Sequence, residues 1–224
     1  IFILRDTKKD IGVCIIILIT TILFFIYGSY YEKKFNELNF ITYDYKIRVI
    51  GSNISLDRFY SDKDPISVIK DLIKISEPNK KEKTIFVWPE GILPIISQKE
   101  LIEYNWLFKE HFSENHLLII GINSMSVNEG TNNYYNSFSI YDHNLKLINS
   151  YNKINLVPFG EFLPFETLLE KIGLKTITNN YQSFSEGNKR NIIKIKIDNF
   201  SLSILPLICY EIIYSGKIFN NQDF

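Results

Sequence analysis

Hydrophobic residues in this chain fall into one long unbroken block, followed by a series of short runs. From Ile11 to Gly28 the sequence reads IGVCIIILITTILFFIYG, eighteen residues without a charge. As a helix rising about 1.5 Å per residue it would be about 27 Å long, close to the hydrocarbon thickness of a bilayer. Arg5, Lys8 and Lys9 flank it on one side. On the other side stand Tyr27, Tyr30 and Tyr31, which suit an interfacial belt, and then Lys33 and Lys34. The pattern predicts a transmembrane helix over 11–28, with residues 1–10 as a flank and 29–44 as a linker. A buried core helix and a cleavable signal peptide are the alternatives. Neither Ala nor a small-x-small site follows Ile26, which argues against cleavage.

From about Tyr45 the pattern changes to short apolar runs separated by polar turns. Tyr45–Asn53, Thr84–Trp88, His116–Ile122, Ser137–Tyr141 and Lys146–Tyr151 read as strands, rich in Ile, Val and aromatics. Ile192–Ile197 and Ser201–Ile208 form a later pair around the turn Asp198-Asn199. Asp64-Pro65 supplies a cap and a first-turn proline, after which Ile66, Ile69 and Ile73 recur at helical spacing. Ser97-Gln98-Lys99-Glu100 reads as a capping box, opening a helix with Leu101, Tyr104, Leu107 and Phe108 on one face. Strands alternating with helices predict an α/β layered domain over 45–224.

Composition adds exclusions. Lys+Arg and Asp+Glu balance at 25 each, so no electrostatic grip on nucleic acid is expected. Cys14 lies in the apolar block and Cys209 follows a strand, so a disulfide framework is excluded and each thiol needs its own account. The chain has no Ala, which we read as codon bias. Five of its seven prolines (Pro89, Pro94, Pro158, Pro164, Pro206) sit in or beside the segments that follow. The chain starts without Met and stops in a polar stretch, so a fragment is expected.

Three positions offer chemistry. Glu90, in Trp88-Pro89-Glu90-Gly91, stands at the carboxyl end of a strand, where open α/β sheets place their sites; a solvated turn acid is the plainer reading. Lys153 ends another strand and could bring a cation into a cleft, or be a surface lysine. Glu161 follows it in an apolar, proline-bounded loop, an odd place for an unused acid. Cys209, in Leu205-Pro206-Leu207-Ile208-Cys209-Tyr210-Glu211, sits between an apolar strand and a polar turn. It would be a nucleophile if a neighbour favoured the thiolate, and otherwise a structural cysteine. An acid, a cation and a thiol together suffice for acyl transfer: a base takes the thiol proton, a cation steadies the oxyanion, and sulfur carries the acyl group.

Glu in W-P-E, Lys after a strand-ending Tyr-x and Cys in I-C-Y-E resemble the Glu-Lys-Cys triad of the nitrilase (carbon–nitrogen hydrolase) superfamily. Leu156–Pro164 (LVPFGEFLP), Ile208–Glu211 (ICYE) and Tyr135-Asn136-Ser137 are similar to the apolipoprotein N-acyltransferases of Gram-negative bacteria. The resemblance implies a nitrilase-like αββα sandwich, incomplete at its C-terminus, preceded by one transmembrane helix. It implies an inner-membrane enzyme with a periplasmic catalytic domain, moving an acyl chain from a phospholipid to the diacylglyceryl-cysteine amine of an apolipoprotein. Neither a cofactor nor a metal is expected. Carried over, Glu90 is the general base, Lys153 the oxyanion stabiliser and Cys209 the thioester-forming nucleophile, with Glu161, Tyr210 and Glu211 assisting.

The chain also departs from the family. Gly91 replaces a hydroxyl residue, Gly51-Ser52-Asn53 only partly matches a Gln-Gly-Asn-like string, and Tyr214-Ser215 replaces Phe-Pro. The family's Asn-Asp-x-Trp-Phe string and final transmembrane helix are missing. A membrane-anchored amidase that hydrolyses a C–N bond needs the same triad and is the nearest alternative. An inactive fragment, or a partner-binding protein using the apolar loop around Phe162–Phe165, is the other.

Overall fold

The computed structural model describes residues 7–38, 44–51, 64–128, 130–165, 183–197 and 200–214. It divides into an N-terminal helical unit and a larger unit that begins at Asp44. In the first, α1 (Thr7–Asn36) is one uninterrupted helix, longer than the uncharged block itself. Its length and composition are sufficient to cross a bilayer, and its apolar side chains, Ile16, Leu18, Phe24 and Phe25 among them, are exposed.

In the second unit β1 (Lys46–Val49), β2 (Thr84–Trp88), β3 (His116–Asn128), β4 (Thr131–Asp142) and β5 (Leu147–Asn152) form one mixed sheet in chain order. The first three strands are parallel, and β4 and β5 follow antiparallel. Helix α2 (Pro65–Ser76) starts where expected, with the Asp64 carboxylate accepting from the Ile66 amide at 3.1 Å. The Ser97 box also forms in part, Glu100 accepting from the Ser97 amide at 2.8 Å. The helix it opens begins as a 3₁₀ turn (Glu100–Tyr104) before α3 (Asn105–His111). A two-stranded sheet, β6 (Ile193–Ile197) with β7 (Phe200–Ile204), completes the strands; the turn Asp198-Asn199 lies outside the described residues.

Strand alternation sends side chains to two cores. On one face Phe86, Trp88, Leu118, Ile120 and Ile122 pack with Ile69, Leu72 and Ile73 of α2 and with Leu101, Leu107 and Phe108. The indole of Trp88 donates to Ser76 Oγ at 2.9 Å, so its one polar atom is satisfied inside that core. On the opposite face Ile85, Leu117, Ile119, Ile140 and Tyr151 meet Ile193, Ile195 and Ile208. The unit is therefore an α/β sandwich: helices on one side of the large sheet and the second sheet on the other. At the outer strand β1, Ile47 and Val49 are 64% and 73% exposed.

Candidate functional site

Because β5 is antiparallel to β4, and β4 to β3, strands β2 and β5 run in the same direction. Their carboxyl ends therefore share one end of the sheet, where Lys153 comes immediately after β5 and Glu90 follows β2 after Pro89. Room for the Glu90 turn is made by Gly121 on β3: a Cβ there would stand 2.6 Å from Glu90 Cα and 3.1 Å from the Pro89 carbonyl oxygen. Lys153 is held by its backbone, its amide donating to Asn136 O and its carbonyl accepting from Gly187 N, both at 2.9 Å.

The Lys153 side chain is 1% exposed, yet it is an ammonium with partners. Its Nζ lies 2.9 Å from Glu161 and 3.5 Å from Glu90 Oε1. Burial opposes the charge, but hydrogen bonding to Glu161 and the charges of Glu90, Glu161 and Cys209 outweigh it, and its pKa is raised. Asn136 bridges the same carboxylates, its Nδ2 donating to Glu90 Oε1 at 2.5 Å and to Glu161 Oε1 at 2.6 Å. The loop bearing Glu161 closes on itself, Val157 N donating to Glu161 Oε2 at 2.9 Å. Phe159, at its tip with φ 62°, is 70% exposed. Ile154, Leu156, Phe162, Phe184 and Tyr214, with Asn155 and Glu186, line a cleft next in the chain to Lys153 and Glu161.

Cys209 opens the 3₁₀ turn Cys209–Ile213 with φ 52°, in the left-handed region that residues with a Cβ rarely occupy. Its side chain is exposed. Partial burial and then the Glu90 carboxylate push the thiol pKa up, while Lys153 and the Tyr210 N–H pull it down. The balance favours the thiol over the thiolate, with Glu90 and Lys153 both close enough to act on the sulfur. Tyr210 contributes that amide, and its ring is 56% exposed.

Glu211 is fully buried. Its Oε2 accepts from Ile208 N at 2.9 Å, and its Oε1 from Ile154 N at 3.0 Å, Asn155 N at 3.1 Å and Tyr151 OH at 2.8 Å. Burial works against the carboxylate, but these donors outweigh it and its pKa is lowered. Glu211 thus joins the Cys209 turn to the segment after Lys153.

All six residues singled out in the sequence lie in or against one cluster. Asn136, which entered above only as part of a string, belongs there too, as do Gly121 and Gly187 behind the two charged residues. Among the described residues no group of three or more His, Cys, Asp or Glu is arranged to hold a metal ion.

The chain is similar to proteins named apolipoprotein N-acyltransferase. It is 30% identical over 183 residues to that of Bradyrhizobium diazoefficiens, covering 77% of this chain and 33% of the relative. It is 32% identical over 167 residues to that of Rhizobium leguminosarum bv. trifolii, covering 70% and 30%. With that of Wigglesworthia glossinidia brevipalpis it shares 34% identity over 189 residues, covering 79% and 34%. The chain spans about a third of the length of these curated relatives. No family model matches. Among solved structures it is similar to a glutamine-dependent NAD+ synthetase from Acinetobacter baumannii, with TM-score 0.40, 14% identity and coverage of 69% of this chain and 26% of the other. An amidase from Nesterenkonia sp. gives TM-score 0.36, 13% identity and coverage of 71% and 54%.

Proposed function

We propose that this chain is part of an apolipoprotein N-acyltransferase, in which α1 crosses the bacterial inner membrane and the unit from Asp44 onward is the periplasmic catalytic domain. The observation that carries the reading is the buried Lys153 ammonium between Glu90 and Glu161, facing the Cys209 thiol. Burying a lysine with two carboxylates is costly, and such arrangements concentrate at functional sites, which supports the reading.

In the first half-reaction Glu90 takes the Cys209 proton as sulfur attacks an ester carbonyl of a phospholipid. A carbon–sulfur bond forms, and Lys153 steadies the resulting oxyanion. Collapse breaks the ester carbon–oxygen bond, and the leaving alcohol of the lysophospholipid receives the proton from Glu90. Sulfur now holds the acyl group as a thioester. In the second half-reaction the amine of a diacylglyceryl-cysteine attacks that carbonyl and passes a proton to Glu90. The carbon–sulfur bond breaks, and the thiolate regains the proton. Glu161 and Asn136 hold Lys153 and Glu90 in register, and the Tyr210 amide and Glu211 fix the nucleophile turn. The cleft beside Glu161 offers Leu156, Phe162 and Phe184 to an acyl chain, and Asn155 and Glu186 to a polar group next to it.

The test is mass spectrometry of the full-length protein after incubation with phospholipid. An acyl adduct is expected at Cys209; Cys209→Ser abolishes it and Cys14→Ser leaves it unchanged. An adduct at Cys14 alone, or release of ammonia from small amides with no acyl-enzyme, would replace this reading with a different one.

A further inference from the structure

Glu211 is a fully buried carboxylate, and three backbone amides and a phenol stabilise it without cancelling its charge. The cation that does is Arg190, in the segment leading into β6. Its guanidinium lies 2.6 Å from Glu211 Oε1, and its Nε donates to Tyr151 OH at 3.2 Å. The arginine side chain is itself only 9% exposed and lies over the Tyr151 ring, 5.7 Å from the centroid. Tyr151 and Arg190 are the titratable and charged groups among the described residues that contact Glu211. Arg190 has no place in the chemistry described above, and no motif marks it.

We propose that Arg190 is a positioning residue of the acyl-transfer site, keeping Glu211 ionised so that Glu211 can fasten the Cys209 turn to the segment after Lys153. The arrangement is suited to that task. A guanidinium presents donors in a planar fork, so one group can serve the carboxylate and orient the phenol that also serves it. Remove the cation and the buried carboxylate keeps its dipolar donors but loses its countercharge, which moves the Glu211 pKa upward. A protonated Glu211 is a poorer acceptor for the amides of Ile154, Asn155 and Ile208, and the turn that sets Cys209 against Glu90 loosens. The consequence has a sign: the loss is greatest at low pH and recovers as pH rises and Glu211 ionises again.

The inference rests on Cys209 being the acyl carrier, so its test includes a readout independent of acyl transfer. In the full-length protein, alkylation of Cys209 by iodoacetamide is followed against pH, with Cys14 as the internal control, beside thioester yield from phospholipid. Arg190→Met is expected to lower thioester formation about tenfold below neutral pH, with recovery in alkali, and to displace the Cys209 alkylation profile but not that of Cys14. Arg190→Lys restores most of the yield. In a Glu211→Gln background, where no charge needs a partner, Arg190→Met costs less than about twofold; this double variant keeps the test readable if the single one folds poorly, which melting reports. A wild-type pH profile in Arg190→Met, or an equal loss with and without Glu211, overturns the proposal. A wild-type protein that never forms a thioester, while Arg190→Met still shifts Cys209 alkylation, sinks the acyl-transfer reading and leaves Arg190 in its role.

Discussion

At the scale of single residues, Cys209 is set between two opposed influences. Partial burial and the Glu90 carboxylate hold the proton on sulfur, and Lys153 draws it off. Substitutions at the two neighbours should therefore move the thiol in opposite directions. Glu90→Gln removes the negative charge, lowers the thiol pKa and speeds alkylation at neutral pH, yet cuts acyl transfer by about 10²–10⁴ because the base is lost. Lys153→Met raises the thiol pKa and slows alkylation along with transfer. Alkylation and transfer rates measured on the same samples check both; parallel changes in Glu90→Gln would refute its role as base. The sequence singled out the acid, the cation and the thiol by their places after expected strands, and the structure brings them together, although β5 before Lys153 is largely exposed and four residues separate β7 from Cys209. Asn136 was not singled out, since it is one of many asparagines and its significance lies in donating to two carboxylates at once. Arg190 was equally hidden: its partner is 21 residues away, inside the ICYE string.

Among the elements, two glycines act where strands deliver functional groups. At Gly121 an added Cβ would meet the backbone of Glu90 at 2.6 Å, and at Gly187 it would collide with the carbonyl oxygen of Asn152, one residue before Lys153. Neither neighbour is a flexible side-chain end, so the backbone must shift. Gly121→Ala and Gly187→Ala should each cost about 1–3 kcal/mol in chemical denaturation and reduce the acyl-enzyme yield, the first by moving Glu90 and the second by moving Lys153. A full yield from either alanine variant would show that the crowding is relieved without displacing the site. The helices and strand cores were readable from periodicity and caps, and β2 has the expected ends. The long β3–β4 ladder, which pairs Asn128 with Thr131 and continues to Leu117 with Asp142, was read short. Its outer half is rich in Asn, Ser and Tyr, so it lacks the apolar alternation that marks a strand and is held by the antiparallel ladder instead. The 3₁₀ start of the helix after Ser97 was equally invisible, because a capping box announces a helical turn without specifying its pitch.

For the molecule as a whole, the resemblance read from short strings extends to sequence relatives over most of the chain. The layered α/β architecture likewise followed from alternating strands and helices. Hidden from the sequence was how a buried polar ring closes the helix-side core. His116 is 1% exposed, wedged edge-on against Phe86 and Phe112, with Nδ1 accepting from Ser113 N at 3.2 Å and Nε2 3.0 Å from Asn79 O. Desolvation lowers its pKa, although the Asn79 and Glu82 carbonyls resist, so the folded state favours the neutral ring. Its contribution is complete above the unfolded histidine value of about 6.5 and is lost as pH falls through the lower folded value. Urea midpoints at neutral and mildly acid pH should show that decline, and His116→Gln should flatten it. The exposed Ile47 and Val49 on the outermost strand have a practical consequence. A sheet border that is apolar and, among the described residues, paired on one side only recruits greasy or strand-forming material. With α1 covered by detergent, binding of a fluorescent hydrophobic dye should fall when Ile47 and Val49 are both replaced by threonine, and unchanged binding would show that this border attracts nothing.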